Sequence, residues 1–286
     1  MLCRKLTGDP PKTQLPKGAV DTQLHIYQKG YSAQPGGPDV PDGCPNLEQY
    51  LQVANWLGID RFIVTVANAY QRDNACLLDV LRQAAGRAVG VGAIHAGTSE
   101  TELRTLVDAG IVGARVMDLP GGAIGLRELR DVDAKTASFG LAIAVQFDGS
   151  HIQKHESCLQ SLQSRYVIDH HGKFFCGVTP DSPQVDTLKR LIDRGNCWIK
   201  FAGCYESSRF GKPDYADIGL VAREIARYAP DRIVWGTNWP HNMATRTEDY
   251  PDDAELLDVV LGWIPGAFRR RALVDNPEEL FGLASC

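Results

Sequence analysis

Short apolar runs, many of them rich in β-branched residues, alternate with segments of helical periodicity along nearly the whole chain. The runs have the length and composition of strands that are buried on both faces of a sheet. Every gap between them is long enough for the crossover helix that joins two parallel strands. The eight predicted strands span residues 19–25, 61–67, 88–94, 113–118, 141–147, 165–171, 197–203 and 232–239.

The predicted helices have recognisable ends. Residues 99–110 begin with a Ser-x-x-Glu capping box at Ser99 and stop at Gly110, shortly before the next strand. Further helical segments occupy 46–58, 183–195 and 215–228. Eight such βα units predict an α/β fold of the closed (β/α)₈ type, a TIM barrel. The alternative is an open doubly wound sheet, but no glycine-rich phosphate turn follows the first strand, as that fold usually requires.

Length and composition fit one soluble globular domain. The chain has 286 residues, of which 44% are apolar and 23% charged, and a formal net charge of -5. We predict a single barrel domain over residues 18–286, preceded by a flexible N-terminal arm over 1–17. The lack of a basic run argues against a nucleic-acid partner. The lack of a signal-peptide pattern or a membrane-length apolar run predicts a cytoplasmic protein with no membrane partner.

Polar residues mark the carboxyl ends of most predicted strands. In a (β/α)₈ barrel these ends surround the functional site. An unpaired polar group buried in protein costs roughly 1–3 kcal/mol, so these side chains are expected to converge on a binding pocket rather than to lie in the core. The set includes Gln23, His25, Asn68, Arg115, Gln146, His170, Lys200, Asn238 and His241.

Two histidines are the strongest catalytic candidates. Alternation along the first strand places His25 on the same face as Asp21 and Gln23. At the end of the sixth strand, His170 and His171 are adjacent and should point to opposite faces, and we assign His170 to the pocket and His171 to the helix side. The alternative for His25 is a histidine that only forms hydrogen bonds at the barrel mouth.

Cationic residues near the same strand ends indicate an anionic ligand. Arg115 lies in an otherwise apolar strand and needs an anion, which is either a substrate carboxylate or an acidic side chain of the protein. Loops after the seventh and second strands add Tyr205, Arg209 and Arg72, and Lys200 lies beneath them. Together they predict a small polyhydroxy or carboxylate-bearing molecule as the partner.

Longer motifs are spread over nearly the whole chain. They are Val-Asp-Thr-Gln at 20–23, Arg-Asp-Asn at 72–74, Met-Asp-Leu-Pro-Gly-Gly at 117–122, Val-Gln-Phe-Asp-Gly at 145–149, Asp-His-His-Gly-Lys-Phe-Phe at 169–175, Tyr-Glu-Ser-Ser-Arg at 205–209 and Trp-Gly-Thr-Asn-Trp-Pro-His-Asn at 235–242. In these motifs the chain resembles the amidohydrolase superfamily, in the branch that contains 2-pyrone-4,6-dicarboxylate lactonase. The resemblance implies an amidohydrolase-like barrel and a lactone isomerase of galactarate and galacturonate catabolism, which converts D-galactaro-1,5-lactone into D-galactaro-1,4-lactone.

The chain departs from the superfamily pattern at two positions. The resemblance implies a His-x-His metal pair on the first strand, where Gln23 precedes His25, and an aspartate base on the eighth strand, where Asn238 stands. An amide does not take up a proton at neutral pH and is a poor ligand for zinc. We therefore predict an enzyme without a metal or other cofactor, in which water has no proton acceptor at position 238.

A hydroxyl of the substrate then takes the place of water as nucleophile. A hydroxyl held beside the lactone carbonyl has an effective molarity of roughly 10⁵ M or more in well-oriented cases. In this hypothesis the C4 hydroxyl attacks C1, and His170 or His25 relays its proton to the departing ring oxygen. The residues expected to orient or polarise the carbonyl are Gln23, Asn238 and His241, and those expected to hold the carboxylate and hydroxyls are Arg115, Arg209, Lys200, Tyr205 and Arg72. Replacing Asn238 by aspartate should raise hydrolysis.

Two other classes of protein stay open. A lactone hydrolase would keep the fold but needs a surviving base, for which His170 or His241 can be argued. A non-catalytic sugar-acid binding protein would share the pocket, although binding alone needs fewer titratable groups. Analysis of the reaction products separates the three classes.

Overall fold

The computed structural model describes residues 2–285, so Met1 and Cys286, the outer residues of the predicted arm and barrel, lie outside the described part. Eight parallel strands form one sheet, in the same order as they occur along the chain. They are β1 (Val20–Leu24), β2 (Arg61–Thr65), β3 (Ala88–Gly92), β4 (Ile111–Met117), β5 (Ala142–Gln146), β6 (Tyr166–Ile168), β7 (Cys197–Phe201) and β8 (Ile233–Trp235).

The first and eighth strands meet just beyond their carboxyl ends. Leu24 forms a parallel bridge with Trp239, and the His25 N–H donates to the Trp239 carbonyl at 2.9 Å. The Asn238 N–H donates to the Gln23 carbonyl at 2.8 Å. These bonds close the sheet into a barrel and place the ends of β1 and β8 side by side. The predicted (β/α)₈ fold is confirmed.

Helices surround the barrel, and the last of them packs against its interior. They are α1 (Leu47–Leu57), α2 (Ala75–Gln83), α3 (Glu100–Asp108), α4 (Leu129–Ser138), α5 (Ile152–Gln160), α6 (Pro183–Asp193), α7 (Ala216–Tyr228), α8 (Asp253–Trp263) and α9 (Asn276–Phe281). The hydroxyl of Ser99 accepts from the Glu102 N–H at 3.2 Å and caps α3, which is the first of the two bonds of the predicted capping box. Among residues 2–285, none of the helices has the length and apolar character needed to cross a membrane.

The apolar core has two parts. A large part lies between the sheet and the surrounding helices. A smaller part fills the barrel interior, where Val20, Val91 and Val167 meet Leu280 and Phe281 of α9. The barrel interior is therefore filled by these apolar side chains, and a ligand can bind only at the carboxyl ends of the strands.

The strands end earlier than the sequence pattern predicts. β6 stops at Ile168, and His170 and His171 both have a left-handed backbone, with φ of 51° and 54°. Beyond β8, Asn238 and His241 also have positive φ, 63° and 57°. A left-handed residue cannot continue a strand, so the predicted strand alternation does not apply to the two adjacent histidines. Such backbone strain in non-glycine residues is typical of functional sites.

The segment before the barrel, residues 2–17, contains no helix or strand. It is nevertheless bonded to the barrel at several points. The Cys3 N–H donates to the Thr247 hydroxyl at 3.0 Å, and the Thr13 N–H donates to the Asp258 carboxylate at 2.7 Å. The predicted mobility of this arm and the predicted single-domain division stay predictions.

Candidate active site

The predicted site residues lie at the carboxyl end of the barrel, but at different depths. Eight of them are buried: Gln23, His25, Arg115, Gln146, His170, Lys200, Asn238 and His241. Asn68 and Tyr205 are half-buried, whereas Arg72 and Arg209 are exposed. A cavity at this end of the barrel is lined by His25 and Arg115 of the buried set, together with Asn68. Leu2 and Arg4 of the N-terminal segment line the same cavity.

Lys200 holds the amide of Gln23 in one orientation. Its ammonium group, which is fully buried, donates to Gln23 Oε1 at 2.8 Å and forms an ion pair with Asp169 at 2.7 Å. Because an ammonium group only donates hydrogen bonds, the oxygen of the Gln23 amide faces Lys200. The Gln23 NH₂ group then faces His25 Nε2 as a donor, at 3.5 Å.

This arrangement does not suit a divalent metal. The oxygen of Gln23 already accepts from an ammonium cation, and Asp169 is paired with the same cation. Like charges repel, so a metal ion here would have to displace Lys200. Among residues 2–285, no group of three or more His, Cys, Asp or Glu side chains is arranged to hold a metal.

Asn238 donates both hydrogens of its side-chain amide to protein atoms. Nδ2 lies 2.7 Å from Glu206 Oε1 and 2.8 Å from the Tyr205 hydroxyl. A carboxylate only accepts hydrogen bonds, so the contact with Glu206 fixes which end of the amide is nitrogen. The carbonyl oxygen Oδ1 is the remaining free edge, and it is an acceptor.

The hydrogen-bond chain continues on the other side of Tyr205. The Tyr205 hydroxyl lies 2.8 Å from His241 Nδ1, and His241 Nε2 lies 3.0 Å from Asp253 Oδ1. Because Asp253 accepts, Nε2 of His241 carries the hydrogen, and Tyr205 donates to Nδ1. Both nitrogens of the fully buried His241 are thus occupied within the protein. The geometry fits a role that His241 exerts through Tyr205, and its predicted catalytic role stays a prediction.

Glu206 remains ionised because its polar and charged neighbours, above all Lys173, favour the carboxylate. Burial by itself raises the pKa of this carboxyl, but His170 and an ion pair with Lys173 outweigh burial and lower the pKa to about 2. The side chain is 11% exposed. Position 238 therefore lies beside a fixed negative charge.

His25 and His170 each use Nδ1 to bind a backbone carbonyl. His25 Nδ1 donates to Thr65 O at 2.9 Å, and His170 Nδ1 donates to Ala202 O at 3.3 Å. These bonds direct Nε2 of both rings away from the backbone as the proton-accepting nitrogen.

The two histidines differ in the charges that surround them. Burial and then Arg115 lower the pKa of His25 to about 3. Burial also lowers the pKa of His170, but Glu206 and Asp169 act in the opposite direction. A proton is therefore held more easily on His170 than on His25.

Arg115 is a buried cation on β4. Its Nη1 donates to Val66 O at 2.6 Å and its Nη2 donates to Met117 Sδ at 3.4 Å, while its buried Nε has no partner within the described part of the chain. Among residues 2–285, no carboxylate forms an ion pair with it. Burial lowers the pKa of Arg115, yet a guanidinium remains charged at neutral pH. Arg115 therefore provides a site for an anionic group of a ligand.

The two predicted rim arginines are engaged elsewhere. Arg72 forms an ion pair with Glu128 at 2.6 Å, and the Arg209 guanidinium donates to the Cys176 carbonyl at 3.4 Å. Both side chains belong to exposed residues, outside the inner group. Their predicted role in substrate binding stays a prediction.

The remaining strand-end residues have distinct surroundings. The Asn68 amide donates to Met117 Sδ at 3.0 Å, beside Arg115. Gln146, at the end of β5, has a buried Oε1 that finds no partner among the described residues. His171 stacks on Phe201 and borders an apolar cavity against α7, on the side that the sequence assigns to the helices.

Sequence reasoning missed several members of the network. Glu206, Lys173 and Asp253 were not among the predicted site residues, although Glu206 directly follows Tyr205 in a motif that the sequence singles out. An acidic residue next to a predicted pocket residue was the only local signal. Asp253 lies at the start of α8, far along the chain from Tyr205, and no local pattern predicts their connection.

Fold and site together define the class: a (β/α)₈ barrel with proton-accepting and anion-binding groups at the carboxyl ends of its strands, as in barrel enzymes. A family model described as amidohydrolase matches residues 20–283. The chain belongs to the amidohydrolase family.

Relatives match nearly the whole chain. The D-galactarolactone isomerase of Agrobacterium fabrum (strain C58 / ATCC 33970) is 52% identical over 285 residues, which cover 99% of this chain and 97% of the relative. The 4-sulfomuconolactone hydrolase of Rhizobium radiobacter is 29% identical over 280 residues, or 96% of this chain and 93% of the relative. An apo crystal structure of an Agrobacterium tumefaciens protein is 52% identical, with coverage of 99% of this chain and 100% of that chain, and a TM-score of 0.97.

Proposed function

We propose that this protein is a lactone isomerase that converts D-galactaro-1,5-lactone into D-galactaro-1,4-lactone. The observation that carries the proposal is the amide at the end of β8. Asn238 has no carboxylate with which to deprotonate water, and it offers only its carbonyl oxygen. The 52% identity to a D-galactarolactone isomerase over almost the full chain supports the same reaction.

The proposed reaction is an intramolecular transesterification. The oxygen of the C4 hydroxyl bonds to C1, the bond between C1 and the ring oxygen breaks, and the proton of the C4 hydroxyl ends on the released C5 oxygen. The reaction consumes no water, oxidant or cofactor. Holding the hydroxyl beside C1 gives it an effective molarity of roughly 10⁵ M or more in favourable cases, so water need not be activated.

The two side-chain amides have complementary roles in this proposal. The NH₂ group of Gln23 donates to the C1 carbonyl oxygen, where negative charge develops during attack. The Oδ1 atom of Asn238, left as an acceptor by the bond from Nδ2 to Glu206, accepts from another hydroxyl of the lactone and so helps to orient the C4 hydroxyl toward C1. Neither amide changes its protonation state.

His170 is the proposed proton relay. Its Nε2 accepts the proton from the C4 hydroxyl and returns it to the departing ring oxygen. The neighbouring carboxylates of Glu206 and Asp169 stabilise the transient cation, whereas His25 faces the positive charge of Arg115. We assign His25 to hydrogen bonding of the substrate at the cavity wall.

Arg115 binds the free carboxylate of the lactone in this proposal. Its guanidinium is buried and has no acidic partner in the described chain, and Asn68 lies beside it at the cavity wall. A charge-assisted bond to a carboxylate satisfies the otherwise unpartnered Nε.

We also propose that the reaction proceeds without a metal ion. The ammonium group of Lys200 lies between Gln23 and Asp169 and occupies the place of a cation beside Gln23. A metal ion at the same place would be repelled by Lys200. The cytoplasmic location and the place in galactarate and galacturonate catabolism are further parts of the proposal and follow from the substrate.

Proton NMR of the reaction tests this function. The purified protein is added to freshly prepared D-galactaro-1,5-lactone, with and without a chelator. We expect the 1,4-lactone to appear first, at equal rates in both samples. Galactarate as the first product, or inhibition by the chelator, would instead indicate a hydrolase. Hydrolase is the activity named for the 29% identical relative from Rhizobium radiobacter. Binding without turnover would assign a sugar-acid binding protein.

A further inference from the structure

Position 238 lies against a carboxylate that the protein keeps charged. Asn238 Nδ2 is 2.7 Å from Glu206 Oε1, and Glu206 forms an ion pair with Lys173. One hydrogen of the Asn238 amide is donated to the charged carboxylate of Glu206. The other hydrogen is donated to the neutral hydroxyl of Tyr205. The bond to Glu206 is therefore the stronger constraint on the amide.

We propose that Glu206 is the positioning residue that determines the choice between isomerisation and hydrolysis. It fixes Asn238 with its carbonyl oxygen toward the substrate, and it prevents a carboxylate at position 238 from acting as a base. The inference rests on the proposed function and concerns a residue that does not itself contact the reacting atoms.

The consequence is clearest for an aspartate at position 238. Asn238→Asp would place two carboxylates at about the distance of one hydrogen bond, and at that distance they share a proton rather than both ionise. Glu206 keeps its charge because Lys173 pairs with it. The shared proton therefore belongs mainly to the new aspartate, and a protonated aspartate is not a base. The rise in hydrolysis that the sequence predicts for Asn238→Asp is thus expected only at higher pH, where this aspartate ionises.

Exchanging the two side chains removes this conflict. In the double variant Asn238→Asp/Glu206→Gln, the carboxylate and the amide change places and the net charge of the pair is unchanged. The oxygen of the introduced glutamine can accept from Lys173, and its NH₂ group can donate to the introduced aspartate. That aspartate then stays ionised at neutral pH, next to the site of attack.

The experiment compares four proteins by product NMR at neutral pH: wild type, Asn238→Asp, Glu206→Gln and the double variant. We expect hydrolysis to be about 10²-fold faster in the double variant than in Asn238→Asp, which is the low end of what a general base contributes. The hydrolysis rate of Asn238→Asp should rise with pH, while that of the double variant is flat. Glu206→Gln should have a lower kcat for isomerisation, because the Asn238 amide is no longer held by a charged acceptor. It should show little hydrolysis, because position 238 still carries an amide.

Thermal unfolding gives a second readout that does not depend on activity. In Asn238→Asp the folded-state pKa of the new aspartate lies above its unfolded value. The free energy of unfolding of this variant, relative to that of wild type, should therefore fall as pH rises from about 5 to 8. The reason is that an acid with a raised pKa in the folded state stabilises the fold only while it is protonated. The double variant should lack this trend.

The outcomes separate the inference from the function. Equal hydrolysis by Asn238→Asp and by the folded double variant at neutral pH would overturn the role of Glu206. So would a double variant that folds but only isomerises, or a Tm of Asn238→Asp with no pH trend relative to wild type. Failure of the wild type to form the 1,4-lactone would overturn the proposed function, and it is read from the wild-type sample alone.

Discussion

Two side-chain amides are held in opposite orientations at the ends of β1 and β8. Lys200 donates to the oxygen of Gln23, so the NH₂ group of Gln23 points the other way, toward His25. Glu206 accepts from the nitrogen of Asn238, so the side-chain oxygen of Asn238 remains as an acceptor. A free amide could rotate between the two orientations, but a cation and an anion fix these two. The site thus presents one neutral donor and one neutral acceptor, which suits the transfer of an ester bond between two oxygens of the same molecule.

The proton relay predicts the pH dependence of the reaction. His170 must be neutral to accept a proton, and burial lowers its pKa below the ordinary value of 6.5. The isomerisation kcat/KM should therefore be constant from about pH 6.5 to 8 and fall only on the acid side, where the imidazole becomes protonated. The check is a pH–rate profile of wild-type protein. An inflection at or above pH 6.5 would contradict this assignment.

At the scale of the elements, the site depends on close contact between loops that follow neighbouring strands. Lys200 on β7 connects Gln23 on β1 with Asp169 after β6. Gly203, just after β7, allows the loops after β6 and β8 to approach each other. A Cβ atom at position 203 would lie 2.6 Å from Asn238 Nδ2 and 3.0 Å from His170 Nδ1.

Gly203→Ala should impair catalysis more than folding. The residue has a φ of 59°, so alanine costs roughly 1–2 kcal/mol of backbone strain, and its methyl group would also push Asn238 and His170 apart. We expect a loss of kcat of about tenfold or more from misplacement of the two groups. Steady-state kinetics and thermal melts measure the two effects.

Gly140→Ala provides the matched control. Gly140 has a similar φ of 67° but no atom within 4 Å of the place that an alanine methyl group would take, and it lies after α4, away from the site. It should lose a comparable amount of stability and keep full activity. Equal kcat values for the two alanine variants would contradict the role of Gly203.

At the scale of the whole molecule, the chain returns its N-terminal segment to the mouth of the barrel. Leu2 and Arg4 line the cavity above Arg115, and the Arg4 guanidinium donates to the Asp42 carbonyl at 2.6 Å. Its buried Nε has no partner in the described chain. A predicted arm therefore contributes a second cationic group at the entrance to the site.

Arg4→Gln should raise KM for the anionic lactone with little change in kcat. Loss of one charge-assisted contact is expected to raise KM by about tenfold. Lys5→Gln is the control, because Lys5 is an exposed neighbour that pairs with Asp252 and does not line the cavity. Michaelis–Menten kinetics of both variants test this, and equal KM values for the two would exclude a role for Arg4.

The sequence by itself determined the barrel and the end of it at which the site lies. Eight buried runs with crossover helices between them leave few other folds, and in such a barrel the polar strand ends converge because all strands are parallel. The sequence also showed that two of these strand ends carry neutral amides, Gln23 and Asn238. Only the tertiary structure decided what each amide offers. That depends on Lys200 and Glu206, on the left-handed turns of His170 and Asn238, and on bonds between loops far apart in the chain, which no local periodicity encodes.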